Sequence, residues 1–215
     1  MGDTLRYQPA YRRHLPHFQP PGATLFVTFR LADSLPVAVV RQLAHEAEVC
    51  RQAIQALTDD KEREAALYAE HRRQFGRFEA LLDHPQWGQA WLRDPRVADC
   101  LATILHEADG RLYTLDAYCI MPNHVHLVMT PLPCADGYQP LPRILHHIKG
   151  ASASEANLLL ERKGTFWQSE SYDHVVRTPE ELRRIVAYVL LNPVKAGLVA
   201  RWQDWPWSYS RFGDL

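Results

Sequence analysis

Two short constellations in this chain carry residue types that could do chemistry together. The first is His124-Val125-His126, followed by the apolar run Leu127-Val128-Met129. On a β-strand, side chains at i and i+2 share a face, so both imidazoles can meet one metal ion or one phosphate while Val125 turns into the core. The second is Tyr188-x-x-x-Asn192. At ~100° per residue on a helix these two fall about 40° apart, beside the apolar stripe rather than opposite it. If that helix packs near the histidine strand, two imidazoles, an amide oxygen and a phenol converge. A divalent cation held by two imidazoles and one amide keeps open positions and can polarise a scissile phosphate. The phenol, with an ordinary pKa of ~10, then supplies a nucleophile, and a covalent phosphotyrosine splits one hard step into two while conserving the phosphodiester energy. Alone, His-x-His in a strand is more often a hydrogen-bonded structural pair, and a lone tyrosine on a helix more often a packing residue.

The elements that must position these groups are readable from periodicity. Thr24–Leu31 is β-branched and aromatic and reads as the first strand. Leu43, Ala47, Cys50, Ile54 and Leu57 step by four and three, and a second helical stretch follows Thr58-Asp59-Asp60. Together they predict a helical-hairpin insertion over about 37–92. Asp94-Pro95 opens a helix with a capping side chain and proline at the first helical position. Arg111–Cys119 and His124–Pro131 read as strands joined at Met121-Pro122-Asn123. Leu141–Leu160 reads as a helix in which Gly150 suggests a close backbone approach. Phe166-Trp167-Gln168 reads as a bend and Asp173–Arg177 as the last strand. Thr178-Pro179-x-Glu181 is a capping box opening the final helix, which Asn192-Pro193 is expected to end. Residues 1–22 read as an irregular arm, and Trp202, Trp205 and Trp207 as an aromatic clasp near the other end.

Without the insertion the order is strand, helix, strand, strand, helix, strand, helix. That predicts an α+β, ferredoxin-like βαββαβ antiparallel sheet with an extra C-terminal helix carrying the tyrosine. The expected organisation is one domain over 1–215 with the insertion inside it.

Composition narrows the class. The chain has 215 residues and a formal net charge of −1, which argues against a generic nucleic-acid coat protein. The balance is uneven: residues 1–36 are net basic, 37–110 net acidic and 111–215 near neutral. Cys50, Cys100, Cys119 and Cys134 show no zinc-ribbon spacing and read as reduced thiols of a cytoplasmic protein. There is no signal-peptide pattern and no apolar run of membrane-spanning length.

At this point the ordered motifs match a family. Tyr118-x-x-Met121-Pro122-Asn123-His124-Val125-His126, Trp167-Gln168, Asp173-His174-Val175-Val176-Arg177 and Tyr188-x-x-x-Asn192-Pro193-Val194-Lys195-Ala196-Gly197 resemble those of the REP-associated tyrosine transposases, single-tyrosine HUH enzymes of the transposase IS200-like superfamily. Arg12-Arg13-x-Leu15-Pro16-His17 and Phe26-Val27-Thr28-Phe29-Arg30-Leu31 fit the same pattern. The resemblance covers all but roughly 37–92. It implies DNA nicking and strand transfer on single-stranded or hairpin DNA formed by palindromic repeats. Tyr188 would be the nucleophile, forming a 5′-phosphotyrosine and leaving a 3′-OH. His124 and His126 would hold Mg²⁺ or Mn²⁺, with Asn192 as third ligand where related transposases often carry Gln. Arg12, Arg13, Lys149, His174, Arg177 and Lys195 are candidates for DNA contacts, each weighed against an ordinary surface charge. The competing readings are a domesticated binder of repeat hairpins that does not cut, and a zinc hydrolase built on the histidine pair.

Overall fold

The computed structural model describes residues 8, 10–12, 16–82 and 88–213, with the side chains of 10–12, 16–18, 64 and 71 outside the description. The chain folds as two compact units, Asp33–Gln89 and the remainder. The smaller unit contains helices α1, Val37–Gln55, and α2, Asp60–Leu82. Arg77 pairs with Glu46 at 2.5 Å and Arg73 reaches Cys50, so pairing runs backward along α2 as it runs forward along α1. The two helices are therefore antiparallel, as the interrupted apolar stripe predicted.

The larger unit is built on a five-stranded antiparallel sheet. In chain order its elements are β1 (Leu25–Leu31), α3 (Pro95–Ala108), β2 (Tyr113–Ile120), β3 (His124–Pro131), α4 (Leu141–Leu159), β4 (Trp167–Val175), α5 (Pro179–Lys195) and β5 (Ser208–Ser210). The strand order is β4-β1-β3-β2-β5. The first four strands have the ferredoxin-like arrangement that the element order predicted, and β3, with the histidines, lies at the centre. No helix among the described residues is long and apolar enough to cross a membrane.

Alternation divides the sheet into two faces. Leu25, Val27, Phe29 and Leu31 of β1 join Val125, Leu127 and Met129 of β3 in the main core, together with Val97, Leu101 and Leu105 of α3 and Ile144, Leu145 and Ile148 of α4. Phe26, Thr28 and Arg30 then share the other face with His124, His126 and Val128, since the register pairs Phe26 with Val128, Thr28 with His126 and Arg30 with His124. Strand β2 contains one extra residue: Leu115 pairs with Met129 and Ala117 with Val128. Asp116 is thus the bulge, and the slip keeps both Leu115 and Tyr118 in the core while turning Cys119 toward the histidine face.

Helix α5 starts at the predicted Thr178 cap, but the reciprocal Glu181 bond falls one residue before the N-cap. Thr178 Oγ1 accepts from the Glu181 N–H at 3.1 Å, while the Glu181 carboxylate accepts from the Arg177 N–H at 2.8 Å and bonds His174 Nε2 at 2.9 Å. The helix is thereby tied to the end of β4. Its other end departs from expectation. Instead of stopping at Asn192-Pro193, α5 runs through Pro193 to Lys195. Proline removes one helical N–H and crowds the preceding turn, yet the Ala196 N–H still reaches the Asn192 carbonyl at 2.9 Å. Termination falls to Gly197, whose φ of 68° requires the left-handed region.

Other expectations are corrected at the margins. The expected bend at Trp167-Gln168 is the start of β4, which spans nine residues. Its pairing with β1 breaks register between Phe29 and Leu31, which hid the strand from an alternation test. The supposedly irregular arm contains a small antiparallel ribbon, Ala10–Arg12 with Pro16–Phe18. Gly150 is exposed and an added Cβ would meet open space among the described residues, so no close approach explains it. Two of the three expected clasp tryptophans tie this segment down: Trp205 Nε1 donates to the Ile120 carbonyl at 3.0 Å and Trp207 Nε1 to Asp99 Oδ1 at 2.8 Å, delivering β5 to the edge of β2. Replacing Thr178 with Ala removes the cap of α5 and is expected to cost about 1 kcal/mol, read as a lowered urea midpoint with an unchanged slope.

Candidate active site

The site begins with strand β3 and the tight turn before it. The Met121 N–H donates to the His124 carbonyl at 2.9 Å, closing the turn. This brings Asn123 Oδ1 to 2.6 Å from His124 Nδ1. An amide oxygen only accepts, so His124 Nδ1 carries the proton and its Nε2 presents a lone pair. Cross-strand register supplies the matching partner for the second ring: Thr28 Oγ1 lies 2.9 Å from His126 Nδ1. The two Nε2 atoms face each other at 3.0 Å.

Both rings are buried, His124 at 1% and His126 at 0% exposure. Burial pushes His124 down to about 3. Burial also holds His126 well below the usual imidazole value, with further lowering from His124 and the Lys195 charge. The pair is therefore neutral at physiological pH, the form in which imidazole ligates metal. Without an ion, the His126 Nε2–H can donate to His124 and the Thr28 hydroxyl to His126 Nδ1. With both Nδ1 atoms protonated, the two Nε2 lone pairs would repel one another unless a cation lay between them. Ligands at right angles around an ion with bonds of ~2.1 Å are themselves about 3 Å apart, so the observed separation suits adjacent metal ligands.

Helix α5 crosses this face of the sheet. The Tyr188 ring sits edge-on to His126, with centroids 5.6 Å apart at 66°, and edge-on to Phe26, at 6.0 Å and 82°. Phe26 also lies 5.7 Å from His126, so the three rings form one cluster. Tyr188 is only half-buried. One turn later, Asn192 is fully buried. Its Nδ2 donates to the Tyr188 carbonyl at 3.1 Å, while its Oδ1 has no hydrogen-bond partner among the described residues. A buried amide oxygen without a partner is costly, and a bound cation is one way to satisfy it. Two neutral imidazoles and one orphaned amide oxygen are a donor set that fits a divalent metal.

The remaining predicted residues are placed differently. Lys195 is exposed, with its ammonium 4.4 Å from the Tyr188 ring centroid. His174 is occupied with Glu181, and exposed Arg177 contributes its N–H to the same carboxylate. Lys149 donates to the Gln168 and Ser169 carbonyls at 2.9 and 3.3 Å, bracing the irregular start of β4 on the opposite face of the sheet. Arg13 and the side chain of Arg12 lie outside the described residues. Phe166, Trp167 and Tyr172, which could have stacked bases, are buried at 2%, 6% and 8% exposure. Sequence reasoning did not assign site roles to Thr28, Asn123 or Phe26. The signal available was the strand alternation, which places Phe26 and Thr28 on a common face but does not say what they oppose.

Because the native pair stays neutral while unfolded histidines protonate below pH ~6.5, the unfolded state binds more protons in that range. Stability is complete above it and is lost as pH falls toward the lowered native values. Metal-free protein should lose up to about 1.4 kcal/mol per pH unit for each imidazole below pH ~6. Urea unfolding at pH 7, 6 and 5 measures this, and His126→Gln should flatten the dependence.

No protein-family model matches the chain. Over 98 residues, 46% of its length, the chain is 30% identical to the REP-associated tyrosine transposase of Escherichia coli (strain K12). A Haemophilus influenzae relative matches at 30% identity over 104 residues. The chain spans about half the length of these curated relatives, 54% and 56%. A solved structure of a REP-associated tyrosine transposase bound to a REP hairpin superposes with a TM-score of 0.52 at 19% identity, covering 92% of this chain and 80% of that one. This likeness shows that the two share a fold.

Proposed function

We propose that the chain, similar in sequence to the REP-associated tyrosine transposases, is a metal-dependent single-stranded DNA endonuclease and strand transferase. The observation that carries this reading is the meeting of Tyr188 with the buried His124–His126 pair across the seam between α5 and the sheet. A half-buried phenol beside two neutral imidazoles suits nucleophilic attack on a phosphodiester better than it suits packing alone.

In this reading Tyr188 Oη attacks phosphorus. An O–P bond to tyrosine forms, the P–O3′ bond breaks, and the departing strand ends in a 3′-OH. The 5′-phosphotyrosine retains the phosphodiester energy, so a 3′-OH can reverse the chemistry on the same or another strand. His124, His126 and Asn192 would hold Mg²⁺ or Mn²⁺, which supplies Lewis-acid polarisation of the phosphate when bound. Asn123 and Thr28 orient the two imidazoles, the role that outer partners of metal-binding histidines commonly take. Phe26 and His126 restrain the Tyr188 ring, limiting the misalignment to which transfer rates are sensitive.

The substrate reading rests on the relatives. The structural neighbour is bound to a REP hairpin, and the E. coli relative is named for its association with such repeats. We assign hairpin DNA with a single-stranded flank as substrate. Arg177, exposed just before α5, is the predicted basic residue we assign to a phosphate contact.

The test is to incubate the protein with a labelled single-stranded hairpin and Mn²⁺, then run a denaturing gel. A covalent adduct is expected with wild type and none above background with Tyr188→Phe. Chelator should remove it. Asn123→Ala should raise the Mn²⁺ concentration needed for half-maximal adduct by roughly 10- to 100-fold. Hairpin binding with no adduct under any metal would instead identify a non-cleaving binder.

A further inference from the structure

Lys195 is seven residues beyond Tyr188, so the two fall within about 20° of each other around α5. Its ammonium lies 4.4 Å from the Tyr188 ring centroid, inside the range of an attractive cation–π contact. A lysine that ends a helix would ordinarily be poorly held, but this helix end is restrained. Pro193 is buried. The Ala196, Gly197 and Leu198 N–H groups donate to the Asn192, Val194 and Pro193 carbonyls at 2.9, 3.0 and 2.9 Å. Gly197 completes the cap with its positive φ. The backbone from which Lys195 projects is thereby pinned to the same turn that holds Asn192.

Phe26 and His126 meet the Tyr188 ring at steep angles, while the Lys195 ammonium lies over its π-face, so the cation acts on a part of the ring that these two contacts do not. We propose that Lys195 is a positioning residue for Tyr188: its ammonium over the ring holds the phenol in the orientation from which the hydroxyl acts, and its main contribution is to the transfer step rather than to DNA affinity. The proposal rests on the reading of Tyr188 as nucleophile, and it separates Lys195 from the predicted phosphate contacts with which its charge alone would group it.

The geometry gives a specific expectation. Methionine preserves much of the stem and removes the charge, whereas arginine keeps a cation able to lie over an aromatic ring. Full-length protein labelled with fluorotyrosine gives one fluorine NMR signal that disappears in Tyr188→Phe. In Lys195→Met that signal should shift, and in Lys195→Arg it should return close to its original position. In single-turnover assays at saturating hairpin and Mn²⁺, Lys195→Met should slow adduct formation about two- to five-fold. Its hairpin Kd should stay within about two-fold, and Lys195→Arg should restore the rate. An unmoved fluorine signal, or a weakened Kd with an unchanged saturated rate, overturns the proposal. Persistence of the adduct in Tyr188→Phe would sink the nucleophile reading instead, and the fluorine signal would still decide whether Lys195 holds the ring.

Discussion

Two imidazoles buried side by side with 3.0 Å between their Nε2 atoms are the constraint on which this structure turns. Burial makes protonation costly, so the pair must be neutral, and neutral rings at this distance need their tautomers settled by outside partners. Asn123 fixes the tautomer of His124 from the turn next door, and Thr28, on a strand 98 residues away in sequence, orients His126 with a hydroxyl that serves either tautomer. The central position of β3 makes this possible. Flanked by β1 and β2, it has neighbours on both sides, and its alternation sends Val125 and Leu127 into the core with each histidine on the opposite face.

Helix α5 depends on that face in turn. It is anchored at its start by a carboxylate serving both the Arg177 N–H and His174, and at its end by a turn that continues past proline before glycine stops it. Between these anchors, Tyr188 and Asn192 occupy successive turns. The ring contacts of Tyr188 are with a β1 residue and a β3 residue, so the position of the phenol reports on strand pairing as much as on the helix. A helix displaced along the sheet would lose both ring contacts.

The Asp33–Gln89 unit shows how such a frame tolerates a large insertion. It interrupts the crossover between β1 and β2, a connection that must be long in any case because a parallel relation between two strands requires one. Its two helices pair with each other in antiparallel fashion. The strand order of the larger unit remains that of the uninterrupted fold.

The elements whose signals are local were legible from the residues. A capping box needs four residues, a His-x-His face needs three, and a Tyr-x-x-x-Asn pairing needs five; each is decided by bond geometry over less than two helical turns. The strand and helix order, and with it the ferredoxin-like sheet, followed from those local signals. Tertiary structure alone decided which residues stand opposite one another. Nothing near His126 marks Thr28 as its partner, because register is a relation between distant segments and a slip of one residue would reverse every face. The same holds for the Asp116 bulge, for β5 pairing at the sheet edge, and for β4, whose irregular opening is braced by Lys149 from another helix. Helix α5 passing through Pro193 belongs with them: the local rule against a helical residue before proline is set aside where Asn192 and Pro193 are both buried, an environment that no five-residue window contains.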